Sequence, residues 1–185
     1  MPDNTTSSAA EMPQFSMPDF PPLVSAQPDP AWPLGQWCQF ILLRYMQDLL
    51  AQREVVWRNE QVEGVHQIRV SARRLRTALQ TFHALWEPAQ VRKHSRYLAE
   101  FADTFGVARD LDVMIIYLDS QLHGAHRERR AALNWMLESK RRLRLAQQPE
   151  LEEALRRLEA DEYPRRFVEL FSSKPFDIRS GGGQP

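Results

Sequence analysis

Apolar positions recur at helical spacing from about residue 34 to residue 172. Between residues 63 and 86, Ile68, Ala72, Leu75, Leu79, Phe82 and Trp86 share one stripe when successive residues turn by about 100°. Val91, Leu98, Phe101 and Phe105 share a face over 88–105, and Leu151, Leu155, Leu158, Phe167 and Leu170 line the last segment. The breakers agree with these patterns. Gly64, Gly106 and Gly124 fall between helical segments, and Pro88 and Pro149 stand at first-turn positions that tolerate proline. The spacing predicts about six helices, at 34–58, 63–86, 88–105, 110–122, 125–147 and 149–172, with Pro164 kinking or splitting the last. No alternating strand pattern intervenes, so the predicted fold class is all-α, a helical bundle. Leu111–Leu118 (LDVMIIYL) is apolar nearly all round, which predicts a short central helix wrapped by the others, with Asp110 and Asp112 capping its start.

Composition separates the ends from this body. Residues 1–33 hold eight of the thirteen prolines, no Lys or Arg, and the acids Asp3, Glu11, Asp19 and Asp29. Such a stretch buries too little apolar surface to offset its ordering entropy, so it reads as a disordered acidic tail. Residues 34–173 form the bundle, and 174–185 read as a flexible Gly-rich end. The formal net charge is zero, from 24 basic and 24 acidic residues, yet the part after residue 33 carries 24 basic against 20 acidic. The single Cys38 excludes an internal disulfide, and no Cys/His spacing suggests a metal site. With no signal peptide and no apolar run long enough for a membrane span, the expected location is cytoplasmic, with no membrane partner.

The charge is concentrated in Gly64–Trp86, GVHQIRVSARRLRTALQTFHALW, which has four Arg, two His and no acid. Beside the apolar stripe runs a second one: His66, Arg69, Arg73, Arg76, Gln80 and His83, spaced 3, 4, 3, 4 and 3. At about 1.5 Å per residue it is roughly 25 Å long, and Arg74 points away from it. Like charges at this spacing cost a few tenths of a kcal/mol per pair, and no acid on the same helix relieves them. Either carboxylates from other helices neutralise the row, or it presents donors to a ligand of repeated negative charge. Arginines suit phosphate chains because the guanidinium stays charged and bonds bidentately. The basic residues of 125–147, including Arg144, surround their helix and read as solvated. No Gly-rich phosphate loop, HExxH or nucleophile-elbow serine is present. No catalytic residue, cofactor or metal is therefore assigned, and binding is favoured over turnover.

VHQIRVSARRLRTAL (Val65–Leu79) resembles the His-x-x-Arg-Val-x-x-Arg-Arg-Leu-Arg signature of the CHAD family, the conserved histidine α-helical domain. FGVARDLDVMI (Phe105–Ile115) is similar to that family's Arg-Asp-x-Asp-Val segment, with Phe105 in place of the usual Leu. Glu162-Tyr163, Arg166-Phe167 and Leu170 weakly resemble its closing helix. The resemblance implies a helical module, often on polyphosphate granules, that binds inorganic polyphosphate through His66, Arg69, Arg73, Arg76 and Arg109. Arg74 belongs to the motif as well. Family members usually have two similar halves, and nothing after Glu87 repeats the signature, so a homodimer completing the missing half is expected. The Glu-x-Glu-x-Lys motif of fused triphosphatase relatives is absent. The rival readings are a nucleic-acid binder, weakened by the few aromatics near the row, a protein-interaction module, and a truncated fragment of little activity. The acidic tail is expected to lie on the basic stripe and compete with ligand.

Overall fold

The computed structural model describes residues 12–59 and 61–173. Within them the fold is all-α, with eight helices and no strand: α1 (Leu34–Leu50), α2 (Arg53–Trp57), α3 (Val62–Thr81), α4 (Pro88–Thr104), α5 (Gly106–Leu122), α6 (Arg127–Ala146), α7 (Gln148–Ala160) and α8 (Tyr163–Ser172). Two of the six expected segments are divided. The first breaks after Leu50 into α1 and α2. The last breaks where Glu162 takes a left-handed conformation (φ 47°) and Pro164 enters the first turn of α8. The second segment ends at Thr81, and a 3-10 turn over His83–Leu85 carries the chain to Trp86.

α3 runs between α1 and α4, and its apolar stripe feeds one core. Ile68, Ala72, Leu75 and Leu79 are buried with Leu42, Leu43 and Met46 of α1, Leu98 and Phe101 of α4, Leu155 of α7 and Phe167 of α8. Gly64 lies inside α3, not between helices, and a side chain is excluded there because a β-carbon would come within 2.9 Å of the Val55 side chain of α2. Among the described residues, no helix is long and apolar enough to cross a membrane.

Three expectations change. Residues 12–33 are not a free tail: Val24 is buried, and Phe15 packs edge-on against Trp57. Arg53, itself buried, pairs with Glu159 of α7 and donates from Nη2 to the Ser16 carbonyl (3.2 Å), holding this stretch to the bundle. Residues 1–11 and 174–185 lie outside the described residues. Of the acids in the N-terminal stretch, Asp19 lies away from the basic stripe, lining a cleft with Glu162, Arg165 and Glu169 of the α8 region. Finally, α5 is not wrapped by the others. Val113, Met114, Ile116 and Tyr117 are all exposed.

Asp112 does not cap α5. It is buried and accepts from Arg144 Nε at 2.9 Å, while Arg144 Nη2 reaches Asn59 Oδ1 at 3.2 Å. Gln148 completes the junction, donating to the Val56 and Trp57 carbonyls at 2.9 and 3.1 Å. This network ties the α5–α6 hairpin to the loop before α3 and to α7.

His94 of α4 is buried against Tyr163, Phe167 and Phe171, its Nδ1 3.2 Å from the Tyr163 hydroxyl. Burial, aided by Lys93 and Arg166, pulls its pKa down to about 4 from 6.5, so the folded protein holds it neutral. Between those two values the unfolded chain binds the extra proton. This part of the stability is thus complete above pH 6.5 and is lost as pH falls toward 4. Thermal melts at pH 7.5 and 5 should differ by about 5 °C more in the native protein than in His94→Leu. Equal acid sensitivity in the two proteins would contradict a neutral buried His94.

Candidate functional site

The basic row on α3 divides according to the helices beside it. Arg69 is half-buried and turns toward α5, where a β-carbon added at Gly106 would meet Arg69 Nη1 at 2.8 Å. Glycine at the head of α5 therefore leaves the room that this guanidinium occupies, linking the two sequence motifs through one contact. No side chain caps the start of α5, and Arg109 follows Gly106 one turn later on that helix. Arg73 is exposed on the crest of α3. His66 is half-buried near the start of the same helix.

Arg76 lies two turns further along the same stripe of α3 than Arg69. With Gln80 and His83 it lines a cleft of about 560 Å³ between α3 and α4, closed opposite by Arg92, Ser95 and Arg96 of α4. No carboxylate lines this cleft. The Nε of Arg76 is buried without a hydrogen-bond partner among the described residues. Arg74 departs from the group, as its helical position predicts: its guanidinium lies over the Tyr45 ring of α1, 5.7 Å from the centroid. His83 belongs to the 3-10 turn, its Nδ1 2.8 Å from the Gln80 carbonyl, so the row is regular helix only as far as Thr81.

Arginines elsewhere in the molecule are mixed: Arg127, Arg129, Arg130, Arg142 and Arg166 also have no carboxylate ion pair among the described residues, whereas others do. Arg44, Arg53, Arg141, Arg144, Arg156, Arg157 and Arg165 all have carboxylate partners. Among the described residues, Arg69, Arg73, Arg76, Arg92, Arg96 and Arg109 form no ion pair with a carboxylate. Carboxylates from neighbouring helices thus do not neutralise the row. Six guanidinium groups on three helices are left able to donate charge-assisted hydrogen bonds to anionic oxygens.

Arg92 and Arg96 were not in the sequence-level site. Their spacing of four puts them on one face of α4, but only the packing of α4 beside α3 brings that face to Arg76. Among the described residues, no group of three His, Cys, Asp or Glu is placed to hold a metal ion. Comparison with known proteins returns one family: the model described as CHAD domain matches residues 41–184. No curated protein and no solved structure matches the chain.

Proposed function

Because the chain belongs to the CHAD domain family, a family linked to polyphosphate binding, we propose that it is a non-catalytic module that binds inorganic polyphosphate. Arg69, Arg73 and Arg76 contact successive phosphates, and His66 adds a hydrogen bond at one end of the row. Arg109 extends the track onto α5, while Arg92 and Arg96 extend it across the cleft to α4. Arg74, held over Tyr45, contributes positive field rather than a direct bond.

The observation that carries this reading is the gathering of Arg76, Arg92 and Arg96 around one cleft that no carboxylate lines, with the Arg76 Nε buried and unpartnered among the described residues. Unrelieved repulsion along a helix is unfavourable in the free protein and is offset only when an anion arrives. A linear phosphate chain suits the arrangement because its charges repeat along its length, as the guanidinium groups do. Bases would be served poorly, since the cleft lining includes no aromatic ring besides His83 on which to stack them. Two copies side by side would offer a long chain two such rows.

Competition tests the assignment. Unlabelled long-chain polyphosphate should displace a labelled single-stranded RNA at a phosphate concentration at least ten times lower than RNA needs to displace labelled polyphosphate. The same samples with Mg²⁺ should release no orthophosphate. RNA displacing polyphosphate at the lower concentration would move the assignment to nucleic acid, and orthophosphate release would overturn the non-catalytic reading.

A further inference from the structure

The α5–α6 hairpin carries a second surface, unrelated to the arginine row. α6 packs one face on α5 and holds the remaining bundle chiefly through Arg144 and the start of α7. Its other face is apolar and open: Trp135 is 70% exposed, and Met136 and Leu143 are exposed beside it. With Ala132 and Ser139, Met136 and Leu143 repeat at intervals of 4, 3 and 4, the spacing of a helix–helix seam. On α5 the exposed Val113, Met114 and Tyr117 share the outward arc. Tyr117 and Met136 line one cleft of about 490 Å³, so the two helices present a continuous face.

This face offers its own complement. The exposed arc of α5 carries Asp110, while Arg129 and Arg142 flank the apolar stripe of α6. A twofold axis lays α5 of one copy on α6 of the other, so an acidic-apolar helix meets a basic-apolar one at both equivalent contacts. Large side chains at 135 and 136 alternate with small ones at 132 and 139, giving each copy both knobs and holes. Six large apolar side chains, Val113, Met114, Tyr117, Trp135, Met136 and Leu143, are exposed together on this face, a contiguous patch of the kind that marks an interaction surface. We propose that this face is a homodimer interface, in which two α5–α6 hairpins stack into a four-helix layer.

Sedimentation velocity and light scattering on the full chain, without polyphosphate, test it across a range of micromolar concentrations. The expected species has twice the 21.6 kDa chain mass. Met114→Glu/Trp135→Glu, two exposed positions, should weaken association at least 30-fold with unchanged helicity by circular dichroism. A native protein that stays monomeric at the highest concentration overturns the proposal, as does a dimer that the double substitution leaves intact. A monomer that dimerises only after removal of residues 174–185 also overturns it, by assigning the face to the chain's own C-terminal segment. None of these outcomes depends on anion binding.

Discussion

Replacing Arg69, Arg73 and Arg76 together by alanine is expected to lower affinity for long-chain polyphosphate by more than 100-fold while leaving the helices intact. These side chains lie on one helix yet face three surroundings: the head of α5, the solvent crest and the α4 cleft. None has a carboxylate partner among the described residues, so their removal orphans no acid and relieves like-charge repulsion. Alanine is also a better helix former than arginine, which protects the fold. Each guanidinium–phosphate contact at a partly exposed site contributes roughly 1 kcal/mol, so three give about 3 kcal/mol, a little over two decades in Kd. Gly106→Ala provides a gentler version. Its added methyl displaces the Arg69 guanidinium without removing charge, and a loss of only several-fold is expected. Isothermal titration with circular dichroism on the same samples reads both effects. Unchanged affinity in the triple variant would remove the row from the site.

The second large effect is structural. Asp112→Ala is expected to destabilise the protein by about 3–5 kcal/mol, because it leaves the buried Arg144 guanidinium without its carboxylate. Asn59 and Gln148 remain as neutral partners, and they do not compensate a buried charge. The Asp112 carboxyl already sits above the usual carboxylate range, since burial outweighs the attraction of Arg144. The pair is therefore not net glue relative to an apolar filling. Asp112→Leu/Arg144→Met should consequently be markedly more stable than Asp112→Ala alone. Thermal melts should show a drop of about 10 °C for the single variant and a smaller one for the double. A single variant that melts with the native protein would mean that the charge is solvated instead of buried.

Legibility from sequence followed how local each determinant is. α3 was readable because one helix carries both the core stripe and the basic row, so its periodicity alone separates them. Pro164 was readable for the same reason: the ring and missing N–H break a helix whatever surrounds it. Arg92 and Arg96 acquire meaning only from the helix that packs beside α4, which no spacing within α4 encodes. LDVMIIYL was misread because an apolar circumference demands cover without saying what provides it, and in one chain α5 keeps an open face. Arg144 looked like one more solvated base on α6, and only its Asp112 partner, thirty-two residues earlier, distinguishes it. Residues 12–33 have the composition of a free tail, yet a buried Arg53 and the Trp57 ring give Phe15 and Ser16 something to hold. Zero net charge likewise concealed a cleft lined by Arg76, Arg92 and Arg96 and by no carboxylate.

The central claim is that unpaired arginines on α3 and its neighbours bind a polyanion by charge. Titration of long-chain polyphosphate into the 185-residue chain at 50 and 200 mM salt tests it most directly. By analogy with counterion release from single-stranded nucleic acid, three to five neutralised phosphates predict saturable binding that weakens roughly 20- to 100-fold across that range. No binding at the lower salt, or an affinity that salt leaves unchanged, would contradict the account.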